Sequence, residues 1–249
     1  MSPILKLLRP HQWAKNALAF VGLLAAHRWS DAAAWQAAGT MFAALSLVAS
    51  AVYILNDALD VGSDRLDPEK RERPLAAGTV PLRLALALIP VLLAAALALA
   101  WRLPLPAQWA LAAYASGALL YNLGIKRTLW LDVTLLAGLY ALRVIAGALA
   151  ASIEPSPWLV GFSLFVFLSL AALKRYAELT RCVYEQLPGR AYLRADSAIV
   201  LAFGAAAAVA AMVVLALYVN AGDVTTLYGR PAVLWALGPI LLTWLARMW

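Results

Sequence analysis

Long apolar stretches separated by short polar clusters run the whole length of the chain. Read against the roughly 20 residues needed to cross the hydrocarbon of a bilayer, they predict eight helices, at Ala14–Ala26, Ala32–Leu55, Leu84–Trp101, Ala107–Leu123, Val133–Ala151, Trp158–Leu173, Ala198–Val219 and Ala232–Trp249. The first is the shortest and carries Lys15 and Asn16. Because Met1–Ser30 lacks a long uninterrupted apolar core, it reads as a span and not as a cleaved signal peptide.

Composition agrees with that pattern. Of 249 residues, 64% are apolar and 13% charged, where a soluble domain carries roughly 25% charged residues. The expected fold is an all-α, polytopic transmembrane bundle forming one integral-membrane domain over residues 1–249. Disorder and collagen are excluded by the same figures. Cys182, the single cysteine, can form no internal bridge.

The net charge of +7 takes its meaning from position. With the N-terminus inside, Lys6, Arg9, Lys15, Arg65, Lys70, Arg71, Arg73, Arg83, Lys126, Arg127, Lys174, Arg175, Arg181, Arg190 and Arg194 are cytoplasmic. Only Arg28, Arg102 and Arg230 fall outside. This asymmetry predicts an inner-membrane protein with its N-terminus and any chemistry at the cytoplasmic face. Basic residues beside anionic headgroups account for the charge without a nucleic-acid partner.

Most of the acids lie in the second and sixth loops. NDALDVGSD, Asn56–Asp64, follows directly on the second apolar run. At about 100° per residue, Asn56, Asp57, Asp60, Asp64 and Asp67 share one helix face. Carboxylates stacked so closely repel one another unless a cation sits among them. Mg²⁺ suits them, since it shares oxygen ligands between carboxylates, water and substrate phosphates. The other reading of the stripe is a solvated helix end at the membrane boundary. The stripe leads into DPEKRERPLAAG, Asp67–Gly78, where Lys70, Arg71 and Arg73 supply phosphate-binding cations. Acids for a metal beside bases for phosphate point to a diphosphate site.

The segment NDxxDxxxD followed by KRxRPxAAG resembles the first aspartate-rich motif of the UbiA superfamily of intramembrane prenyltransferases. RPHQWAKN, Arg9–Asn16, and YNLGIKR, Tyr121–Arg127, resemble further family segments. The resemblance implies Mg²⁺ held by Asn56, Asp57, Asp60 and Asp64, with diphosphate at the cytoplasmic mouth of a lipid-open cavity. It also implies nine helices; with eight counted, the last is expected to be absent or truncated. Most aromatic prenyltransferases of the superfamily have a second aspartate motif after the sixth helix. Here LKRYAEL, Leu173–Leu179, stands in that place, and with Leu131–Ala151 it is similar to the decaprenyl-phosphate phosphoribosyltransferase branch. The implied reaction moves phosphoribose from phosphoribosyl pyrophosphate to a polyprenyl phosphate.

Lys174, Arg175 and Glu178 put two cations and one acid where acids are expected, which favours anionic substrates. Equally, the two cations obey the positive-inside rule and Glu178 pairs with either at helical spacing. Asp57, Asp60, Asp64, Lys174, Arg175 and Glu178 are the candidate catalytic residues. Lys126 and Arg127 either bind phosphate or anchor a helix end. Arg143 is deep enough that it must face the bundle or a wet cavity, as substrate ligand or as structural partner. Tyr140 shares its face, and either lines the cavity or makes an interhelical hydrogen bond. Lys15, Asn16 and Tyr121 complete the candidate substrate-binding set. Two further functions compete. One is a prenyltransferase moving a polyprenyl group from its diphosphate to an aromatic or other acceptor. The other is a transporter, which would place ionisable residues along a path at mid-membrane.

Overall fold

The computed structural model describes residues 2–68, 70–222, 224, 228 and 231–249. Arg230, counted above among the outward bases, lies outside them. Helices dominate: α1 Pro3–Leu8, α2 Val21–Ala25, α3 Ala32–Leu59, α4 Val61–Asp64, α5 Leu82–Ala100, α6 Leu105–Leu123, α7 Leu131–Ala150, α8 Pro157–Arg181, α9 Ser197–Val219 and α10 Leu237–Met248. Of these, α3, α5, α7, α8 and α9 are long and apolar enough to cross a membrane. With the family membership established below, this makes the chain a multi-pass membrane protein.

The chain divides into two compact units. The first comprises Met1–Asn122 with Leu142–Glu154, and the second Leu123–Ala141 with Pro155–Trp249. In the first unit α3 is the central element. Asp31 caps it, accepting from the Ala34 amide at 3.0 Å, and it packs against α5. Leu7, Ala51, Ile54, Leu75, Val80 and Leu92 form a core beside the polar end of α3. Many apolar side chains of α5 are exposed, Val91 and Leu97 among them, as a lipid-facing helix requires.

The expected span Ala14–Ala26 is not one α-helix. Pro10–Phe20 winds as a 3₁₀ helix, followed by the short α2. The tighter winding has a visible cause. Three residues per turn align every third side chain, so Trp13, Asn16 and Ala19 fall on one edge. Trp13 Nε1 donates to Ser50 Oγ and Asn16 Nδ2 to Ser46 Oγ, both at 3.0 Å, on successive turns of α3. Ala19 meets Gly147 so closely that a Cβ there would lie 1.9 Å from the Ala19 carbonyl oxygen.

In the second unit α8 and α9 pack along their length. The structure extends the expected span Trp158–Leu173 through Arg181, so Lys174, Arg175 and Glu178 lie on helix. The expected last span begins instead with a 3₁₀ segment, Pro231–Ala236, before α10. Gly204 of α9 receives Trp249 and Ala172 at distances that leave no room for a side chain.

Candidate active site

The acidic stripe sits where α3 gives way to α4. Asp60 caps α3 and α4 begins at the next residue. The helical path nevertheless continues, because the Asp60 amide donates to the Asn56 carbonyl at 2.9 Å and the Asp64 amide to the Asp60 carbonyl at 2.8 Å. Seven residues apart, Asp57 and Asp64 come to one side and are both buried. Arg73 Nη1 spans them, 2.7 Å from Asp64 Oδ2 and 3.3 Å from Asp57 Oδ1.

A second guanidinium reaches Asp57. Arg9 Nη2 donates to both of its oxygens, at 2.6 and 2.8 Å, and the Arg9 guanidinium lies over the Tyr53 ring, 5.3 Å from its centroid. The backbone explains this reach. Arg9 has φ +51° and separates α1 from the 3₁₀ segment, which turns the chain at that residue. Sequence reading placed Arg9 in a family-like segment but not in the site; no local pattern marks it as the partner of an acid 48 positions away.

The basic loop that follows is less uniform than it looks in sequence. Asp67 caps the Lys70–Glu72 turn, accepting from the Lys70 amide at 3.1 Å, and also pairs with Lys70 Nζ at 3.1 Å. Arg71 is exposed. Arg73 alone of the three is drawn between the acids. Asn56 and Asp60 are half-buried at the same helix end.

Elsewhere in the first unit, Arg143 is buried, as its depth demanded. Its Nε donates to Asn16 Oδ1 and its Nη2 to Tyr114 Oη, both at 2.9 Å. The Tyr114 ring also lies 4.8 Å from the guanidinium carbon. Asn16 is thus inward, whereas the Lys15 side chain is exposed and Tyr121 is half-buried.

The second unit contains another charged cluster. Arg175 and Asp132 are almost fully buried, with Arg175 Nη2 donating to Asp132 Oδ2 at 2.6 Å. Arg175 Nη1 also pairs with Glu178, while its Nε is buried with no hydrogen-bond partner among the described residues. Lys174 stands 4.0 Å from Glu178 and its side chain is 64% exposed. Of the two adjacent cations, therefore, Lys174 is open to a ligand and Arg175 is committed to acids.

Tyr192, which the sequence did not single out, completes this cluster. Its hydroxyl donates to Asp132 Oδ1 at 2.6 Å and accepts from the Trp130 amide at 3.1 Å. Burial, then the hydrogen bond to Asp132, push its phenol well above the ordinary tyrosine range. Nothing in the sequence of that polar loop separates Tyr192 from Tyr184; only its folding buries the first and leaves the second exposed. Tyr140 stacks on Phe167, with ring centroids 5.2 Å apart. Lys126 is half-buried and Arg127 exposed.

Among the described residues no group of three or more His, Cys, Asp or Glu side chains is gathered as a set of metal ligands. The donors nevertheless suit a hard divalent ion. Two carboxylates converge on one nitrogen of a cation, and Mg²⁺ commonly takes one or two carboxylates with the remaining sites filled by water and substrate phosphate.

Residues 17–249 match the UbiA prenyltransferase family. The chain belongs to that family. A UbiA homolog from Archaeoglobus fulgidus, solved bound to DMAPP and Mg²⁺, shares the fold with a TM-score of 0.79 and 17% identity, over 99% of this chain and 85% of that one. A decaprenyl-phosphate phosphoribosyltransferase from Mycolicibacterium smegmatis is 38% identical over 185 residues, 72% of this chain and 58% of that protein. A Sinorhizobium fredii protein, described as uncharacterized protein y4nM, is 37% identical over 248 residues, 97% of this chain and 48% of that protein. This UbiA-family chain spans roughly half to three fifths of the length of these two relatives.

Proposed function

We propose that residues 1–249 form a single transferase domain that moves 5-phosphoribose from phosphoribosyl pyrophosphate to a polyprenyl phosphate. The reaction takes place at the cytoplasmic face of the inner membrane. The observation that carries the proposal is the convergence of Asp57 and Asp64 on Arg73, with Arg9, Lys70 and Arg71 in the same unit. Similarity to decaprenyl-phosphate phosphoribosyltransferases favours phosphoribose as the transferred group.

Asn56, Asp57, Asp60 and Asp64 would hold Mg²⁺, directly or through water. When bound, the ion would supply Lewis-acid stabilisation of charge on the departing pyrophosphate. Lys70, Arg71 and Arg73 bind the diphosphate oxygens, and Arg9 positions the Asp57 carboxylate through both oxygens. The bond from the ribose anomeric carbon to pyrophosphate breaks, and the electron pair leaves with pyrophosphate. A lipid phosphate oxygen forms the new bond to that carbon. Already anionic, it needs no general base, so catalysis rests on charge stabilisation and positioning. In the second unit, Arg175 positions Glu178 and Asp132.

A second reading, transfer of a polyprenyl group from its diphosphate, draws support from membership of a prenyltransferase family and from the neighbour solved with DMAPP. One assay separates the two. Purified protein with Mg²⁺ receives labelled phosphoribosyl pyrophosphate and a polyprenyl phosphate, and label is sought in the lipid fraction. Labelled lipid is expected; no labelling, together with transfer from a polyprenyl diphosphate to an aromatic acceptor, would overturn the phosphoribosyl reading.

A further inference from the structure

The loop between α8 and α9 folds back on itself and lines a cavity to which no residue of the acidic stripe contributes. Gln186 and Leu193 form an antiparallel bridge, the Leu187 amide donates to the Tyr192 carbonyl at 2.9 Å, and the Arg194 amide to the Glu185 carbonyl at 2.8 Å. At the tip the Arg190 amide reaches the Leu187 carbonyl at 3.1 Å across Pro188 and Gly189. Gly189 has φ +71°, so a proline at the second turn position precedes a glycine at the third, the chemistry of a type II turn. Tyr192 then fixes this hairpin by its bonds to Asp132 and the Trp130 amide.

Its second tether brings two cations together. Arg190 Nη1 donates to the Lys126 carbonyl at 2.9 Å, holding the hairpin against the 3₁₀ turn Ile125–Arg127. Between them lies a cavity of about 460 Å³ lined by Arg127 and residues 186–191. Arg127, Gln186 and Arg190 provide its polar lining, and no acid contributes to it. The exposed Arg127 side chain has no ion pair among the described residues, whereas Arg190 Nη1 also stands 3.8 Å from Asp132 Oδ2.

We infer that this cavity is a phosphate-binding site, with Arg127 and Arg190 as its cationic ligands and Gln186 as an amide donor. Guanidinium forks match phosphate oxygens in both geometry and charge. Two cations facing a concavity free of carboxylates favour a dianion over a neutral ligand, and the pinned hairpin holds them ready before the ligand arrives. The inference stands apart from the transfer chemistry proposed above, since it holds for either donor. The same chemistry would accept a soluble phosphate ester or the phosphate of a lipid headgroup.

Calorimetric titration of the full chain in detergent with inorganic phosphate, in EDTA and at low salt, tests it. EDTA removes any contribution from a divalent ion. Saturable binding is expected. Arg127→Ala should weaken it about tenfold or more, the loss of one charge-assisted contact, and Arg127→Glu should abolish it. Arg102→Ala, which removes an exposed cation outside the cavity lining, should leave it intact. Because the Arg127 side chain makes no described bond, an unchanged unfolding temperature in the variants separates loss of binding from loss of folding.

Repeating the titration in phosphatidylcholine nanodiscs with and without phosphatidylglycerol identifies the source. Competition by phosphatidylglycerol supports the site with a lipid headgroup as its ligand, and no competition supports it with a soluble phosphate. Wild-type protein that binds no phosphate, or an Arg127→Glu protein that binds it as tightly as wild type, would overturn the inference.

Discussion

Asp132 offers the most demanding test of the packing in the second unit. Its Oδ2 accepts from Arg175 at 2.6 Å, and its Oδ1 accepts from the Tyr192 hydroxyl at 2.6 Å and the Val133 amide at 2.7 Å. Asp132→Asn keeps the volume, removes the charge, and leaves a group with a single acceptor oxygen and two donors. Whichever way the amide turns, an N–H faces Arg175 or Tyr192. Leaving a buried charge without its partner costs about 3–5 kcal/mol. Glu178, one third exposed, still faces Arg175 and brings the loss to the lower end, about 3 kcal/mol. At roughly 2–4 °C per kcal/mol for a chain of this size, thermal unfolding in detergent should fall by about 6–12 °C. Tyr192→Phe loses two hydrogen bonds, one to Asp132 and one from the Trp130 amide, and should cost about 2 kcal/mol. In a double-mutant cycle, Arg175→Met should recover part of the Asp132→Asn loss, since it removes the orphaned charge. A fall of under about 2 °C for Asp132→Asn, or a cycle with no coupling, would refute the reasoning.

Three further outcomes follow from the same structure. Asp60→Ala should abolish Mg²⁺-dependent turnover in the lipid-labelling assay, and near-normal activity would remove Asp60 from the site. Gly147→Ala should destabilise the first unit by several kcal/mol or prevent folding, because its Cβ would overlap the Ala19 carbonyl; the yield of monodisperse protein in detergent reports this. The raised Tyr192 phenol stays protonated in the folded chain while an unfolded tyrosine ionises above about pH 10. Its contribution to stability is therefore full below that pH and is lost as pH rises further, so unfolding temperature should drop more steeply from pH 9.5 to 11 in wild type than in Tyr192→Phe.

How much of this was legible beforehand depended on whether the determinant was local. Apolar run length located α3, α5, α6, α7, α8 and α9, since hydrocarbon thickness fixes the length of such runs. It overran at the first span, where the i, i+3 alignment of Trp13 and Asn16 with serines of α3 selects a 3₁₀ winding. Helical periodicity placed Asp57 and Asp64 on one side, and it survived the cap at Asp60. The partners of those acids were less legible. Arg73 was legible only as one of three phosphate-binding bases in the next loop, whereas Arg9 is brought in by its own left-handed backbone between α1 and the 3₁₀ segment. The spacing of Asp132 and Arg143 along α7 puts them on one helix face. Their partners nevertheless differ: Arg175 and Tyr192 for one, Asn16 and Tyr114 for the other. Spacing along one helix says which way side chains point and nothing about what meets them.

The central claim is that the Asp57–Asp64 stripe receives a divalent ion together with pyrophosphate. Electron paramagnetic resonance of Mn²⁺, standing in for Mg²⁺, tests it directly when the purified chain is titrated in the presence of pyrophosphate. Wild-type protein should convert free Mn²⁺ to a bound signal, and Asp64→Ala should weaken that binding at least tenfold while leaving the fold intact. Equal binding by the two proteins, or no bound Mn²⁺ in wild type, would contradict the account.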